Sequence, residues 1–260
     1  MNPADLRAKI VPRTKLVWLE APGSVTMEFV PLAQLTKVCR DAGVTSALDN
    51  TWGAGLAFNG FDAGADIVVQ ALTKYPSGGG DVLMGSIVTR DESLHLQLKQ
   101  THMRMGWGVG ANDAEAVLRA LPSIELRYRA QDVAARELAQ WLRTRPEVSR
   151  LLHPAFEGSP GHEHWRELCG GKNLAAGLFS VVLHERYTTG QVDAFCDALR
   201  LFKIGYSWGG PVSLAVPYDI PSMRPAGTWP HKGVLVRFSL GLEAISDLRA
   251  DLEQALSVLA

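Results

Sequence analysis

In this 260-residue chain the residues most able to do covalent chemistry are a lysine and an aspartate, each closing an apolar run. Lys74 stands in Gln70-Ala71-Leu72-Thr73-Lys74-Tyr75, after Ile67-Val68-Val69 and ahead of the glycine-rich Ser77-Gly78-Gly79-Gly80. Where a buried strand gives way to a loop, desolvation disfavours an ammonium and lowers its pKa. A depressed pKa makes the amine a nucleophile, able to form a Schiff base with a carbonyl. Asp49, in Asp49-Asn50-Thr51, ends another apolar run, so two strand ends can present an acid and an amine to one cleft. Each residue also has a plain structural reading, Lys74 as a structural lysine and Asp49 as a turn or cap residue.

The elements that must position this pair read as alternating strands and helices. Residues 15–20, 44–49, 66–72 and 82–89 are short apolar runs with the length of buried strands. Residues 31–42 carry helical spacing in Leu32, Leu35, Val38 and Cys39, with Pro31 at the start and Gly43 at the end. Strands separated by helices or long connections imply parallel pairing, with ligands at the carboxyl ends. Glu20, Asp49 and Lys74 all fall at or just past such ends.

Residues 112–145 read as a long helical stretch kinked at Pro122, with Val117, Leu118, Leu121, Ile124, Val133, Leu138, Trp141 and Leu142 as its apolar face. Strands at 148–152, 177–184 and 233–240 and helices at 190–202 and 246–259 then make a second α/β unit. The expected division is 1–115 for a larger domain and 116–260 for a smaller one, with the bridging helix at its start.

Composition sets broad bounds. Hydrophobic residues make up 47% and charged residues 20%, as in soluble globular proteins, and the net charge of −1 offers nothing to nucleic acid or an acidic membrane. The cysteines Cys39, Cys169 and Cys196 are odd in number and form no Cys-x-x-Cys, which argues against a disulfide framework or zinc site. No run approaches the ~20 apolar residues of a membrane span. A cytoplasmic enzyme is the expectation.

Several local patterns, taken in order, resemble one family, the pyridoxal-phosphate (PLP) enzymes of cysteine and methionine metabolism. They are Trp18-Leu19-Glu20-Ala21-Pro22-Gly23-Ser24, Leu48-Asp49-Asn50-Thr51-Trp52, Gly64-Ala65-Asp66-Ile67 and Thr73-Lys74-Tyr75. Leu118-Arg119-Ala120-Leu121, Tyr206-Ser207-Trp208-Gly209-Gly210 and residues 236–243, from Val236-Arg237 to Leu242-Glu243, complete the series. The resemblance implies a PLP-dependent fold type I (aspartate aminotransferase-like) α/β architecture, with part of the large domain as a parallel-rich sheet and a C-terminal small domain. It implies carbon–sulfur lyase chemistry on a small amino acid, in the β-elimination that takes cystathionine to homocysteine, pyruvate and ammonia. Methionine γ-lyase and cystathionine γ-synthase types of chemistry stay open beside it.

The same resemblance implies roles. Lys74 would hold the cofactor through its amine and move protons once substrate displaces it. Asp49 would keep the pyridine nitrogen protonated, making the ring a better electron sink. Thr73 would offer its hydroxyl to the cofactor phosphate; Ala71 stands where many relatives have a serine. Arg237 would grip the substrate carboxylate bidentately, a structural ion pair being the alternative. Ser207 and Trp208 would line the substrate side, whereas Val212-Ser213 departs from the glutamate–serine pair common in relatives.

Family members carry a substantial portion ahead of the segment matched by residues 18–22, including phosphate-binding groups and an aromatic residue stacked on the ring. None of it maps onto this chain. The expectations are therefore a homo-oligomer where that portion is supplied, or else a remnant with little or no PLP binding. Other features read as structure. His162-Glu163-His164 lacks metal-site spacing and reads as a surface loop, Ser77 to Gly80 is no Walker loop, Gly106, Gly108 and Gly110 lack dinucleotide context, and Arg127, Arg129 and Arg136 read as a solvated helix face.

Overall fold

The computed structural model describes residues 2–225 and 228–259. In chain order its first part comprises α1 (Pro3–Lys9), β1 (Leu16–Glu20), α2 (Leu32–Asp41), β2 (Thr45–Asp49), β3 (Ile67–Ala71), β4 (Gly85–Thr89) and α3 (Glu92–Met105). There follow α4 (Ala111–Ala120) and α5 (Ile124–Leu142), joined by a 3-10 turn at Leu121–Ser123. The remainder is β5 (Val148–Leu152), α6 (His162–Cys169), β6 (Leu178–Leu183), α7 (Thr189–Asp197), β7 (Lys203–Ile204), β8 (Leu214–Tyr218), α8 (Ile220–Met223), β9 (Leu235–Ser239) and α9 (Ile245–Leu256).

The strands form two sheets. In the first, ordered β1-β2-β3-β4, the pairings β1–β2 and β2–β3 are parallel, while β4 returns antiparallel to β3. The sheet is parallel-rich, as expected, with the parallel run stopping at β3: a loop from Leu72 to Met84 turns the chain straight back, and no helical crossover intervenes. The second sheet, β5-β6-β9-β8-β7, is antiparallel except between β7 and β8.

Local chemistry explains most boundaries. Pro31 precedes α2, whose Leu32, Leu35, Val38 and Cys39 are buried on one face, and Gly43 closes it at φ +65°. The kink at Pro122 falls where its missing N–H predicts, in the 3-10 turn. That turn breaks the helical phase. Val117, Leu138 and Leu142 are buried as expected, but Leu118 (67% exposed) and Val133 (57% exposed) face outward.

Four elements run against the sequence reading. The 14-residue α3, with Asp91 capping Leu94 N at 2.8 Å, buries no residue and so has no apolar stripe to announce it. β8 contains Pro217, which argues against a strand, yet it pairs with β9 along its length. Residues 162–164 open helix α6 where a loop was expected, His162 lying over Trp165 and facing Pro154 O at 2.9 Å. Arg127 and Arg136 leave the solvated helix face expected of them. Arg136 pairs with the buried Asp132 at 2.8 Å, and Arg127 turns inward.

Two packing clusters form the interior. One joins β1, β2 and α2 to Tyr128, Trp165, Leu178 and Leu235, so it spans both sheets. The other lies between α5, α7, α9 and the second sheet. All three cysteines are buried in these clusters as free thiols. Outside them, Leu83, Ile87 and Trp107 stay exposed around a cavity of about 580 Å³ between α3 and β4. Among the described residues, no helix is long and apolar enough to cross a membrane.

Leu48 is fully buried one residue before Asp49. Leu48→Ala is expected to lower stability by about 2–5 kcal/mol through lost transfer energy and a cavity. A reduced urea midpoint at unchanged m-value is the readout.

Candidate active site

Three strand ends meet at one cavity. β1 ends at Glu20 and β2 at Asp49, in register with each other. β3 ends at Ala71, and Lys74 follows on the turn beyond it. The cavity, about 210 Å³, is lined by Glu20, Ser24, Asp49, Thr51, Lys74 and Trp208, among others. Parallel pairing of β1, β2 and β3 is what brings the acid and the amine to the same edge.

Asp49 is fixed by its neighbour. Its Oδ1 accepts from Thr51 N at 2.9 Å and from Thr51 Oγ1 at 2.5 Å, and Thr51 Oγ1 in turn accepts from Ala71 N at 2.8 Å. Oδ2 has no hydrogen-bond donor among the described residues, so one oxygen remains to accept a bond from a ligand. Burial, reinforced by the charge of the adjacent Asp49, pushes the Glu20 carboxyl above its usual range.

Lys74 meets the second half of the chain. Its Nζ donates to Ser207 Oγ at 2.7 Å and lies 5.3 Å from the Trp208 ring centroid. Burial, and then the charge of Arg237, lower its pKa, favouring the neutral amine. Gly209, at φ +74°, makes this contact feasible: a Cβ there would stand 3.0 Å from Tyr75 N.

Arg237 sits mid-strand in β9 and is 4% exposed. Its Nη1 donates to Ser24 O at 3.0 Å and its Nη2 to Tyr206 O at 2.6 Å, and the guanidinium lies 5.4 Å from the Tyr218 ring centroid. No carboxylate pairs with it among the described residues, so the structural ion pair weighed from sequence is not made. Burial lowers its pKa, with Tyr218 opposing. A guanidinium with two of its five donors on neutral carbonyls keeps its charge and further donors for an incoming anion.

The structure thus brings Lys74, Asp49, Ser207 and Trp208 together and sets Arg237 beside them. Thr73 is placed differently. Its hydroxyl donates to Met84 O at 3.2 Å and accepts from Met84 N at 3.0 Å, bracing the turn into β4. Ser213, from the Val212-Ser213 departure, binds the Glu243 carboxylate through its hydroxyl and its N–H, each at 2.7 Å. Sequence reasoning missed Thr51 as the residue that orients Asp49; the signal available was its position two residues on, where a hydroxyl can bond back to the aspartate.

An aspartate and a lysine of lowered pKa thus stand at the ends of neighbouring strands in an α/β fold, with an arginine nearby that pairs with no carboxylate among the described residues. Residues 1–257 match the Cys/Met metabolism PLP-dependent enzyme family, and the chain belongs to it. It is 37% identical over 254 residues to cystathionine beta-lyase of Salmonella typhimurium, covering 96% of this chain and 63% of that protein. It is 38% identical over 257 residues to cystathionine beta-lyase MetC of Escherichia coli, covering 96% of this chain and 64% of that one. The crystal structure of metB from Corynebacterium glutamicum superposes with a TM-score of 0.87 at 29% identity, covering 99% of this chain and 66% of that one. The chain therefore has the fold type I architecture and spans just under two thirds of the length of these curated relatives.

A lysine whose folded pKa is depressed opposes folding while it is protonated. The cost is present below the folded pKa and is relieved as pH rises through the folded value towards the unfolded one, ~10.4. Lys74→Met is therefore expected to raise the urea midpoint at pH 7. The gain should shrink as pH rises through the folded pKa and be lost above about 10.4, where the lysine is neutral in folded and unfolded chain alike.

Proposed function

We propose that this chain carries the reactive site of a PLP-dependent carbon–sulfur lyase acting on cystathionine by β-elimination. The observation that carries the reading is the Lys74 amine, of lowered pKa, held at 2.7 Å from Ser207 in the cavity it shares with Asp49. These residues fit PLP at its reactive end: an amine for the aldehyde, and in Asp49 Oδ2 an acceptor for a protonated ring nitrogen. When bound, PLP supplies an electron sink for the charge left on the substrate Cα.

The chain's own residues account for the other steps. Arg237 holds the substrate α-carboxylate by charge-assisted hydrogen bonds, fixing the orientation of the Cα–H bond. Lys74, neutral once substrate has displaced it, takes the Cα proton and later returns a proton to the departing sulfur. Ser207 accepts a hydrogen bond from Lys74 Nζ and so orients it, and the Trp208 ring packs beside the same amine. The C–S bond breaks with its electron pair leaving on sulfur, which departs as homocysteine, and hydrolysis of the three-carbon remainder yields pyruvate and ammonia. Lys74, Asp49 and Arg237 would serve γ-elimination or γ-replacement equally; Trp208, where many relatives of other specificity carry leucine, favours the β-lyase.

A second reading, a chain with little or no PLP binding or activity of its own, is favoured by a specific observation at the phosphate end. The Thr73 hydroxyl is engaged by Met84, and among the described residues Lys74 is the only cation lining the cavity. A dianionic phosphate placed there has few donors to meet it.

One spectrum separates the two readings. Purified chain with added PLP is expected to develop a visible absorption band that Lys74→Ala abolishes, and to release pyruvate and a thiol from cystathionine. A flat spectrum in both proteins would sink the autonomous lyase and leave the second reading. With activity in hand, Arg237→Met should raise KM by roughly 10- to 100-fold, the loss expected for hydrogen bonds to a charged group.

A further inference from the structure

One face of α5 reaches three of the segments that wall the cavity; the segment after β1, with Glu20 and Ser24, is the fourth. Tyr128 Oη donates to Trp52 O at 3.0 Å, in the loop that leaves Asp49. Gln131 Nε2 donates to Gly210 O at 2.7 Å, in the loop that carries Ser207 and Trp208. Arg127 Nη1 donates to Tyr75 O at 2.7 Å, and Nη2 to Pro76 O at 3.4 Å, in the turn that carries Lys74. The same guanidinium reaches Ala120 O at 3.1 Å and Ser123 Oγ at 3.1 Å through Nη2 and Nε, tying it to the kink below.

Arg127 is the charged member of this trio, yet all its acceptors are neutral. Burial lowers its pKa, and no neighbouring charge offsets that cost. A planar fork of five donors bridges several carbonyls at once, which a single ammonium cannot do. The turn after Lys74 is built around it: Gly78 has φ +64°, and a Cβ there would fall on Arg127 Nη1. Gly209 also packs on the Lys74 and Tyr75 backbone. The turn is therefore gripped by both the guanidinium and the loop that carries Ser207 and Trp208.

The geometry points to Arg127 as a positioning residue: by fixing the Tyr75 and Pro76 carbonyls against the Gly209 loop, it sets where the Lys74 amine stands relative to Ser207. This inference rests on the reading of Lys74 as the reactive amine, so its test reads that amine directly and without cofactor.

The chain's lysines are reductively methylated with ¹³C-formaldehyde, and the Lys74 signal is identified by its absence in Lys74→Arg. Its NMR titration is then compared in the unsubstituted chain, Arg127→Met, Arg127→Lys and Gly78→Ala, with exposed Arg129→Met as control. All three substitutions at the grip are expected to move the Lys74 midpoint to higher pH, toward that of the exposed lysines. At a pH well below the midpoint its neutral fraction should fall about tenfold for each pH unit of that rise. Arg129→Met should leave it in place. An unchanged Lys74 titration in any folded grip variant would overturn the inference. So would unfolding of all three grip variants beside a folded control, since a purely structural anchor behaves that way. A chain that binds no PLP still yields this titration, so failure of the lyase reading and failure of this one are separately visible.

Discussion

Three of the four segments that wall the candidate site are held by α5 through their backbone carbonyls. The cavity is assembled from segments far apart in sequence: the loops after β1 and β2, the turn after β3, and the residues before β8. Buried Met27, Phe29, Trp52, Phe58 and Tyr75 anchor three of these segments in the core, and hydrogen bonds then fix the course of the backbone. A helix is stiff over its length, and its side chains three and four apart share a face. Arg127, Tyr128 and Gln131 use that geometry to reach Tyr75, Trp52 and Gly210. Hydrogen bonds to carbonyls fix the chain irrespective of the side chains, which leaves Lys74, Asp49, Ser207 and Trp208 free for chemistry.

The charges are sorted by the same scaffold. Glu20 and Asp49 lie in register at adjacent strand ends, so carboxylates gather at one side of the cavity. Arg237 comes from the other half of the chain, outside the residues that line the cavity, where it stands in a strand of buried residues and is steadied by main-chain oxygens. Lys74, in the lining, takes its lowered pKa from burial and then from the arginine.

Much of this was legible in the residues, and the gaps have physical causes. Strands 1 to 3 and helix α2 were readable because apolar runs and helical spacing are local signals, and Glu20, Asp49 and Lys74 could be placed at strand ends for the same reason. The antiparallel return of β4 was not, since pairing direction depends on the connection and not on strand composition. Helix α3 buries no residue and so leaves no periodicity to read. Thr73 lies beside Lys74 in sequence, but its hydroxyl turns to Met84, a choice of rotamer that no motif reveals. Arg127 and Arg129 lie about 200° apart on the helical wheel, one directed into the site and the other to an exposed glutamate. Which of the two faces meets Tyr75 is set by a long-range contact, and long-range contact is what a single sequence hides.

The burial of the three thiols has a consequence of its own. Cys39 and Cys169 are fully buried and Cys196 is 3% exposed, with Cys169 and Cys196 pushed up to about 12 by desolvation. Exchange with a disulfide requires an accessible thiolate on the attacking partner. On the proposed reading the chain generates a free thiol at every turnover, and that thiol oxidises readily to a disulfide. A surface cysteine would then be captured as a mixed disulfide by the protein's own spent product. With its sulfur locked away as thiol in the core, the chain is chemically indifferent to the redox state of what it releases.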